Sequence, residues 1–352
     1  MATQAASSLL TFAAKQSGKD NITPMELQDI RHIGVVGAGL MGHGIALVFA
    51  SAGYRVSLYD VDPATLGSAK DRIAKNFNVL IQLNLSKPED IDLCLDRITL
   101  CPSLKALCDG PQYIIEAVRE DLDAKREVYM ELDRSASPEA IFSSNTSAIS
   151  ITEISGILNN KGRFLGTHFW NPPHILPCVE VIKGAYTDDK DFETVYALME
   201  KVGKVPVRVL KDVPGFLGNR LQHAMWREAI SLCEKGIAGA EDIDKVVKYG
   251  FGMRMAFIGP LETADLAGLQ LTYDIHEYLL PHLEASPVPS PHLAELIAQG
   301  ATGVRAGRGF YKWTPERISR IIAQRDTVLL KIMHEIVSPT AVREREEPSE
   351  SS

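Results

Sequence analysis

The stretch Ile33-Gly34-Val35-Val36-Gly37-Ala38-Gly39-Leu40-Met41-Gly42-His43-Gly44-Ile45-Ala46 decides the fold. A short apolar strand pattern runs straight into Gly-x-Gly-x-x-Gly, and a helical pattern opens at the third glycine and continues to Ala52. The first glycine permits a tight turn, the second lets the backbone approach a pyrophosphate, and the third lets helix and strand pack closely. The helix N-terminus then faces the phosphates, so Gly37, Gly39, Leu40, Met41 and Gly42 form an expected cofactor loop. A bare glycine pattern is a weak signal, but this one stands in the strand–turn–helix context it requires. A second strand ends at Tyr59-Asp60, where a carboxylate can accept the adenosine ribose hydroxyls and would repel a 2′-phosphate. That favours NAD over NADP, the plainer alternative being that Asp60 caps the helix that follows.

Outward from this unit, short apolar runs alternate with helical patterns, the signature of β-α-β units in a parallel sheet. Expected strands are Ile33–Val36, Val56–Tyr59, Tyr113–Ile115, Ile141–Ser143, Phe164–Gly166, Val179–Ile182 and Val205–Leu210. Two helical stretches, Ala64–Gln82 and Lys87–Asp96, lie between the second and third and read as an inserted helical hairpin. From Pro214 on the strand pattern stops, and helices are expected at Gly215–Lys235, Glu241–Tyr249, Leu261–Leu280, Pro291–Gln299 and Pro315–His334. The fold class is therefore α/β, a Rossmann-like NAD-binding domain over 31–212 followed by an all-helical C-terminal domain over 213–335. Residues 1–30 and 336–352 read as flexible tails, and the Ser/Ala-rich start, which lacks a charged n-region and any arginine before residue 23, has a targeting role as its alternative.

At 352 residues the chain has room for about two domains of roughly 150 residues each. Lys and Arg total 37 against 45 for Asp and Glu, a net charge of −8 that argues against a nucleic-acid surface, so any anionic ligand must be held by local features. No apolar run is long enough to span a membrane. The five cysteines are odd in number and contain no Cys-x-x-Cys, so neither a disulfide framework nor a metal site is expected, and a reducing cytoplasm fits.

The chemistry gathers at two further strand ends. Ser144-Asn145-Thr146-Ser147 follows one strand, Thr167-His168-Phe169-Trp170-Asn171-Pro172-Pro173 follows the next, and Glu180 comes after that. Open α/β sheets bind ligands at such ends. Hydride transfer from an alcohol carbon to nicotinamide needs a base for the departing hydroxyl proton, and a histidine suits it. A carboxylate on the other ring nitrogen would fix the tautomer and stabilise the imidazolium. A packed loop histidine remains the alternative for His168, and a strand-end solubilising residue for Glu180.

The segments GAGLMGHGIA, SSNTSAISITEI, THFWNPPH with VEVIKG, DVPGFLGNRL and GRGFYKW, in that order from Arg31 to Trp313, resemble the L-3-hydroxyacyl-CoA dehydrogenase family. The resemblance implies a dimer through the helical domain and a substrate cleft between the two domains. It makes His168 the general base, Glu180 its partner carboxylate, Ser147 the hydroxyl that bonds the reacting oxygen, and Asn219 the second-domain residue that helps position it. Glu120 and Lys125 match positions that contact the nicotinamide-side ribose, and Asn145 falls among the cofactor contacts. Without it, Glu120 and Lys125 read as a solvated helix start and Asn219 as a mid-helix polar residue.

Two features bear on the substrate. The stretch Gly250–Pro260 resembles relatives acting on free hydroxy acids, gulonate 3-dehydrogenase with the related lambda-crystallin and pyridine-ring hydroxy-acid dehydrogenases. Arg254 in it could grip a carboxylate, or serve as a structural arginine. Lys70, Arg72 and Lys75 could hold CoA phosphates, or form a solvated helix face. Ser144–Ser147 favours the CoA enzymes. The expected activity is NAD-dependent oxidation of the C3 hydroxyl of a short-chain 3-hydroxyacyl-CoA in a cytoplasmic homodimer, the alternatives being a free hydroxy acid or a crystallin-like protein without turnover.

Overall fold

The computed structural model of the chain describes residues 25–82 and 86–337. Eight strands form one sheet in the order β3-β2-β1-β4-β5-β6-β7-β8. They are β1 (His32–Val36), β2 (Arg55–Tyr59), β3 (Ile98–Leu100), β4 (Tyr113–Glu116), β5 (Ile141–Ser144), β6 (Phe164–Phe169), β7 (Cys178–Ile182) and β8 (Val205–Val209). The connecting helices are α1 (Gly42–Ser51), α2 (Pro63–Gly67), α3 (Ala69–Gln82), α4 (Asp90–Asp96), α5 (Leu104–Leu107), α6 (Leu122–Ser135), α7 (Ile151–Ser155) and α8 (Asp189–Lys201). The chain runs from β1 outward through β2 to β3, then returns to add β4 on the other side of β1. The point where the order reverses therefore lies between β1 and β4, and ligands bind beyond the carboxyl ends of strands at such a point.

Two sequence expectations about the sheet change. The expected helical hairpin is the crossover into β3, because α4 leads within two residues to that parallel edge strand. With three residues, β3 is too short to carry a period-two signal. The sheet is also not all parallel, since β6 and β7 run antiparallel. Only Trp170–Pro177 joins them, and a parallel return would need a crossover of about a dozen residues or more.

Strand alternation sorts the side chains. Phe49 of α1 stacks near Tyr113 and Phe169 on one face, while Tyr129 of α6 meets Phe142 and Phe164 on the other. On the first face Tyr113, Ser143 and Thr167 close a triangle of hydroxyl bonds, at 2.5, 2.7 and 3.0 Å, across three strands. Burial pushes the Tyr113 hydroxyl up to about 12. One residue further along each strand, Ser144 and His168 emerge on the α6 face. Met25–Ile30, expected within the first tail, instead lies against α8: Ile30 is buried and Thr194 donates to the Met25 carbonyl.

The chain divides into two compact units, one around the sheet that ends at Asp212 and one that starts at Val213 and takes in Trp170–Pro177. The second contains α9 (Gly218–Glu234), α10 (Ala240–Tyr249), α11 (Pro260–Ala267), α12 (Leu269–Leu279), α13 (Pro291–Ala298) and α14 (Pro315–Val337). The single helix expected over Leu261–Leu280 is broken at Gly268, whose φ of +96° lies outside the helical region. Among the described residues from Val213 on, only Phe216, Ser231 and Leu330 are buried. Tyr249, Phe257, Leu261, Leu266, Leu269 and Tyr278 are 63–81% exposed.

Candidate active site

Gly37 turns the chain with φ +97°, and a Cβ there would stand 2.6 Å from the Ala117 carbonyl oxygen. A Cβ on Gly42 would stand 1.7 Å from the Gly37 carbonyl oxygen, whereas one on Gly39 would meet nothing within 4 Å. The loop is thus closed at both ends and open in the middle, where Leu40 is exposed and Met41 leads into α1. Asp60 takes the Ala38 amide at 2.6 Å and the Asp62 amide at 2.9 Å. It is Asp62 that caps α2, through Ala64 and Thr65.

Arg72 belongs to this loop. Its guanidinium donates to the carbonyls of Ala38 (2.8 Å), Thr65 (2.7 Å) and Gly39 (3.3 Å). His43 reaches the same Gly39 carbonyl at 2.6 Å through Nδ1 and meets Asn76 at 3.1 Å through Nε2. Burial lowers the His43 pKa, opposed by the Gly39 hydrogen bond and aided by the nearby Arg72 charge. Lys70 donates to the Leu95 carbonyl at 2.9 Å at the end of α4, and Lys75 is exposed. Two of the three basic residues expected for CoA phosphates are therefore bonded to the protein's own carbonyls.

His168 and Glu180 are direct cross-strand partners in the β6–β7 register. That pairing puts His168 Nδ1 2.7 Å from Glu180 Oε2 with both side chains buried. With the shared proton on Nδ1, Nε2 is the nitrogen that can take one from a substrate. Asn145 accepts the Phe169 amide through Oδ1 at 2.8 Å, tying the end of β5 to the end of β6.

Ser147 is held from below. Glu120 Oε1 accepts the Thr146 hydroxyl at 2.6 Å and the amides of Ser147 and Ala148 at 2.8 and 3.0 Å. Burial pushes the Glu120 pKa up, but the Thr146 hydroxyl, the Lys125 charge and the two amides outweigh it and hold the carboxyl below its ordinary value. Lys125 is 1% exposed, which rules out the alternative reading of a solvated helix start, and lies 2.8 Å from Glu116 and 3.3 Å from Glu120. Glu116, at the end of β4, escaped the sequence reading because an acidic residue closing an apolar run reads as a strand terminus.

In the second unit Asn219 lies in the first turn of α9, where its side chain competes less with the helix than in a mid-helix position. A Cβ on the preceding Gly218 would meet the Trp170 ring at 2.1 Å, so α9 starts against the segment that follows His168 in the chain. Arg254 is exposed in the turn after α10, with no carboxylate partner among the described residues.

The open middle of the glycine loop, the Asp60 carboxylate and the start of α1 fit a dinucleotide. The family model of the 3-hydroxyacyl-CoA dehydrogenase NAD binding domain matches residues 32–213, and that of the C-terminal domain matches 215–313. The chain belongs to the 3-hydroxyacyl-CoA dehydrogenase family. It is an NAD-dependent oxidoreductase acting on a CH–OH group. It is 33% identical over 303 residues to 5-formyl-3-hydroxy-2-methylpyridine 4-carboxylate 5-dehydrogenase of Mesorhizobium japonicum, covering 86% of this chain and 97% of that one. It is 37% identical over 286 residues to a probable 3-hydroxybutyryl-CoA dehydrogenase of Bacillus subtilis, covering 81% and 98%. The crystal structure of an NAD+-dependent dismutase, the 5-dehydrogenase of that pyridine carboxylic acid, superposes with a TM-score of 0.82 at 32% identity, covering 88% of this chain and 99% of that one. Among the described residues no helix is long and apolar enough to cross a membrane.

The Asp60 geometry carries a first expected result. NAD should be preferred over NADP by more than about tenfold, and Asp60→Ala should narrow the gap while loosening the Ala38 turn. Steady-state kinetics with both cofactors measures it, and equal efficiency in the parent protein would contradict the assignment.

Proposed function

We propose that this member of the family oxidises the C3 hydroxyl of an L-3-hydroxyacyl-CoA, of short chain length, to the 3-ketone, and runs the reverse reaction. The observation that carries the chemistry is the buried His168–Glu180 pair at 2.7 Å on a strand end of the cofactor-binding sheet. Bound NAD would supply the hydride acceptor, with the glycine loop at its pyrophosphate, Asp60 at the adenosine ribose, and Glu120 with Lys125 at the other ribose. His168 Nε2 takes the hydroxyl proton, and Glu180, bonded to Nδ1, stabilises the imidazolium that results. Ser147 bonds the reacting oxygen, and Asn219 is the second-domain residue that helps place it. The likeness to the Bacillus relative, across nearly all of that protein, supports the thioester.

A free hydroxy acid is the second reading, and two observations favour it. Lys70 and Arg72 are bonded to backbone carbonyls, while Arg254 stands exposed with no carboxylate partner among the described residues. A pyridine carboxylate dehydrogenase is also among the most similar relatives. NADH formation from 3-hydroxybutyryl-CoA, 3-hydroxybutyrate and gulonate, measured side by side, separates the two. For a free acid, Arg254→Met should weaken substrate binding by about 2–5 kcal/mol, because it leaves a carboxylate unpaired. For a thioester the same change should leave KM nearly unaltered. A large loss on the acid, with no turnover of the thioester, overturns the first reading.

The second unit supports a homodimer formed through its helices. Among its described residues from Val213 on, Phe216 and Leu330 are the only buried apolar side chains, and exposed apolar surface on this scale marks an interaction face. Light scattering on the purified protein should return twice the chain mass, and a monomeric mass at micromolar concentration would contradict the dimer.

A further inference from the structure

We infer that Glu116 is a positioning residue that sets the cofactor loop and the Ser147 loop together from a single buried carboxylate. Glu116 closes β4 beside the point where the sheet order reverses, pairing with Val36 of β1 and Ser144 of β5. It is 0% exposed and acts through the groups it bonds. Its Oε1 accepts the Val118 amide at 2.7 Å, which fixes the Ala117–Val118 peptide. That peptide is the wall beside Gly37, since a Cβ on the glycine would lie 2.6 Å from Ala117 O and 3.1 Å from Val118 N. Its Oε2 accepts the Ser144 hydroxyl at 2.7 Å, and Ser144 Oγ in turn takes the Thr146 amide at 3.2 Å. Lys125 passes the constraint on, 2.8 Å from Glu116 and 3.3 Å from the Glu120 carboxylate that carries Ser147.

A buried ion pair is a poor source of stability. Desolvating two charges offsets much of their attraction, and an apolar pair of the same volume often does as well. What the pair supplies is a unique geometry, because the carboxylate must find its donors at fixed places and burial leaves it no water to substitute. Burial pushes the Glu116 pKa up, opposed by Lys125, Ser144 and Val118, in keeping with a group whose charge depends on these partners.

The inference rests on the reading of these strand ends as the active site of an NAD enzyme, and its test is read on NADH alone. Full-length Glu116→Gln, Glu120→Gln and the double variant are titrated with NADH by fluorescence, well below each melting temperature. Glu116→Gln should raise the NADH Kd by about tenfold or more, since the lost charged acceptor leaves Lys125 with Glu120 alone and displaces both loops. In the Glu120→Gln background the same change should cost less than about threefold, because both act on one network. An NADH Kd within about twofold of the parent, or strictly additive effects, overturns the inference even if the melting temperature falls. Should Glu116→Gln fail to fold, Ser144→Ala removes one of the three donors, and an unchanged Kd there overturns the inference equally. A parent protein that binds NADH but turns over no 3-hydroxybutyryl-CoA sinks the thioester reading, and the Kd values still decide the role of Glu116.

Discussion

His168→Gln is expected to lower kcat by about 100-fold or more while leaving the NADH Kd nearly unchanged, the range usual for loss of an acid–base group. Glutamine can still donate an amide hydrogen toward Glu180, so the β6–β7 pair that holds both positions should survive. What disappears is Nε2, the nitrogen that receives the hydroxyl proton in the proposed reaction when Nδ1 is committed to the carboxylate. Glu180→Gln should fold normally and lose activity by a smaller factor, since the imidazole remains but its cation loses a buried counter-charge. Steady-state rates paired with NADH titrations test both. Retention of kcat within about threefold in His168→Gln would remove the histidine from the chemistry.

The second large effect lies in the glycine loop, where two alanine substitutions should part company. Gly42→Ala places a Cβ 1.7 Å from the Gly37 carbonyl oxygen, a backbone atom that cannot swing aside. Overpacking of this kind costs about 1–3 kcal/mol or more, and here the strained segment is the cofactor loop itself. Both the melting temperature and NADH affinity should fall, the latter by about 100-fold. Gly39→Ala adds a methyl that meets nothing within 4 Å, so the melting temperature should stay at the parent value. Its NADH affinity should nonetheless drop, because the added Cβ occupies the side open to the pyrophosphate. Thermal melts with and without NADH distinguish the two outcomes, and normal NADH binding by Gly39→Ala would contradict the docking of the pyrophosphate at this loop.

Much of this arrangement is determined by the sequence alone, wherever the cause is local. The glycine loop is legible because its spacing and its strand–turn–helix context are local and Gly42 answers to the Gly37 carbonyl five residues back, although the wall beside Gly37 comes from the distant Ala117. Strand–helix alternation up to Asp212 and helical periodicity after it are likewise read from neighbouring residues, and together they carry the fold class. His168 and Asp60 are legible as candidates because a strand end is a local feature.

What only the tertiary structure decides is which distant residues meet. Glu180 faces His168 because a connection too short for a crossover forces β7 to run antiparallel, and the register then opposes the two. Arg72, on a helix that reads as a solvated face, folds back onto the carbonyls of the glycine loop. Lys125 is buried because α6 packs over the strand end where Glu116 waits, a meeting that spacing within α6 does not reveal. Local patterns report which face a residue can present. Burial and pairing come from long-range closure of the sheet, and that closure turns an ordinary acidic strand end at Glu116 into the support of two loops.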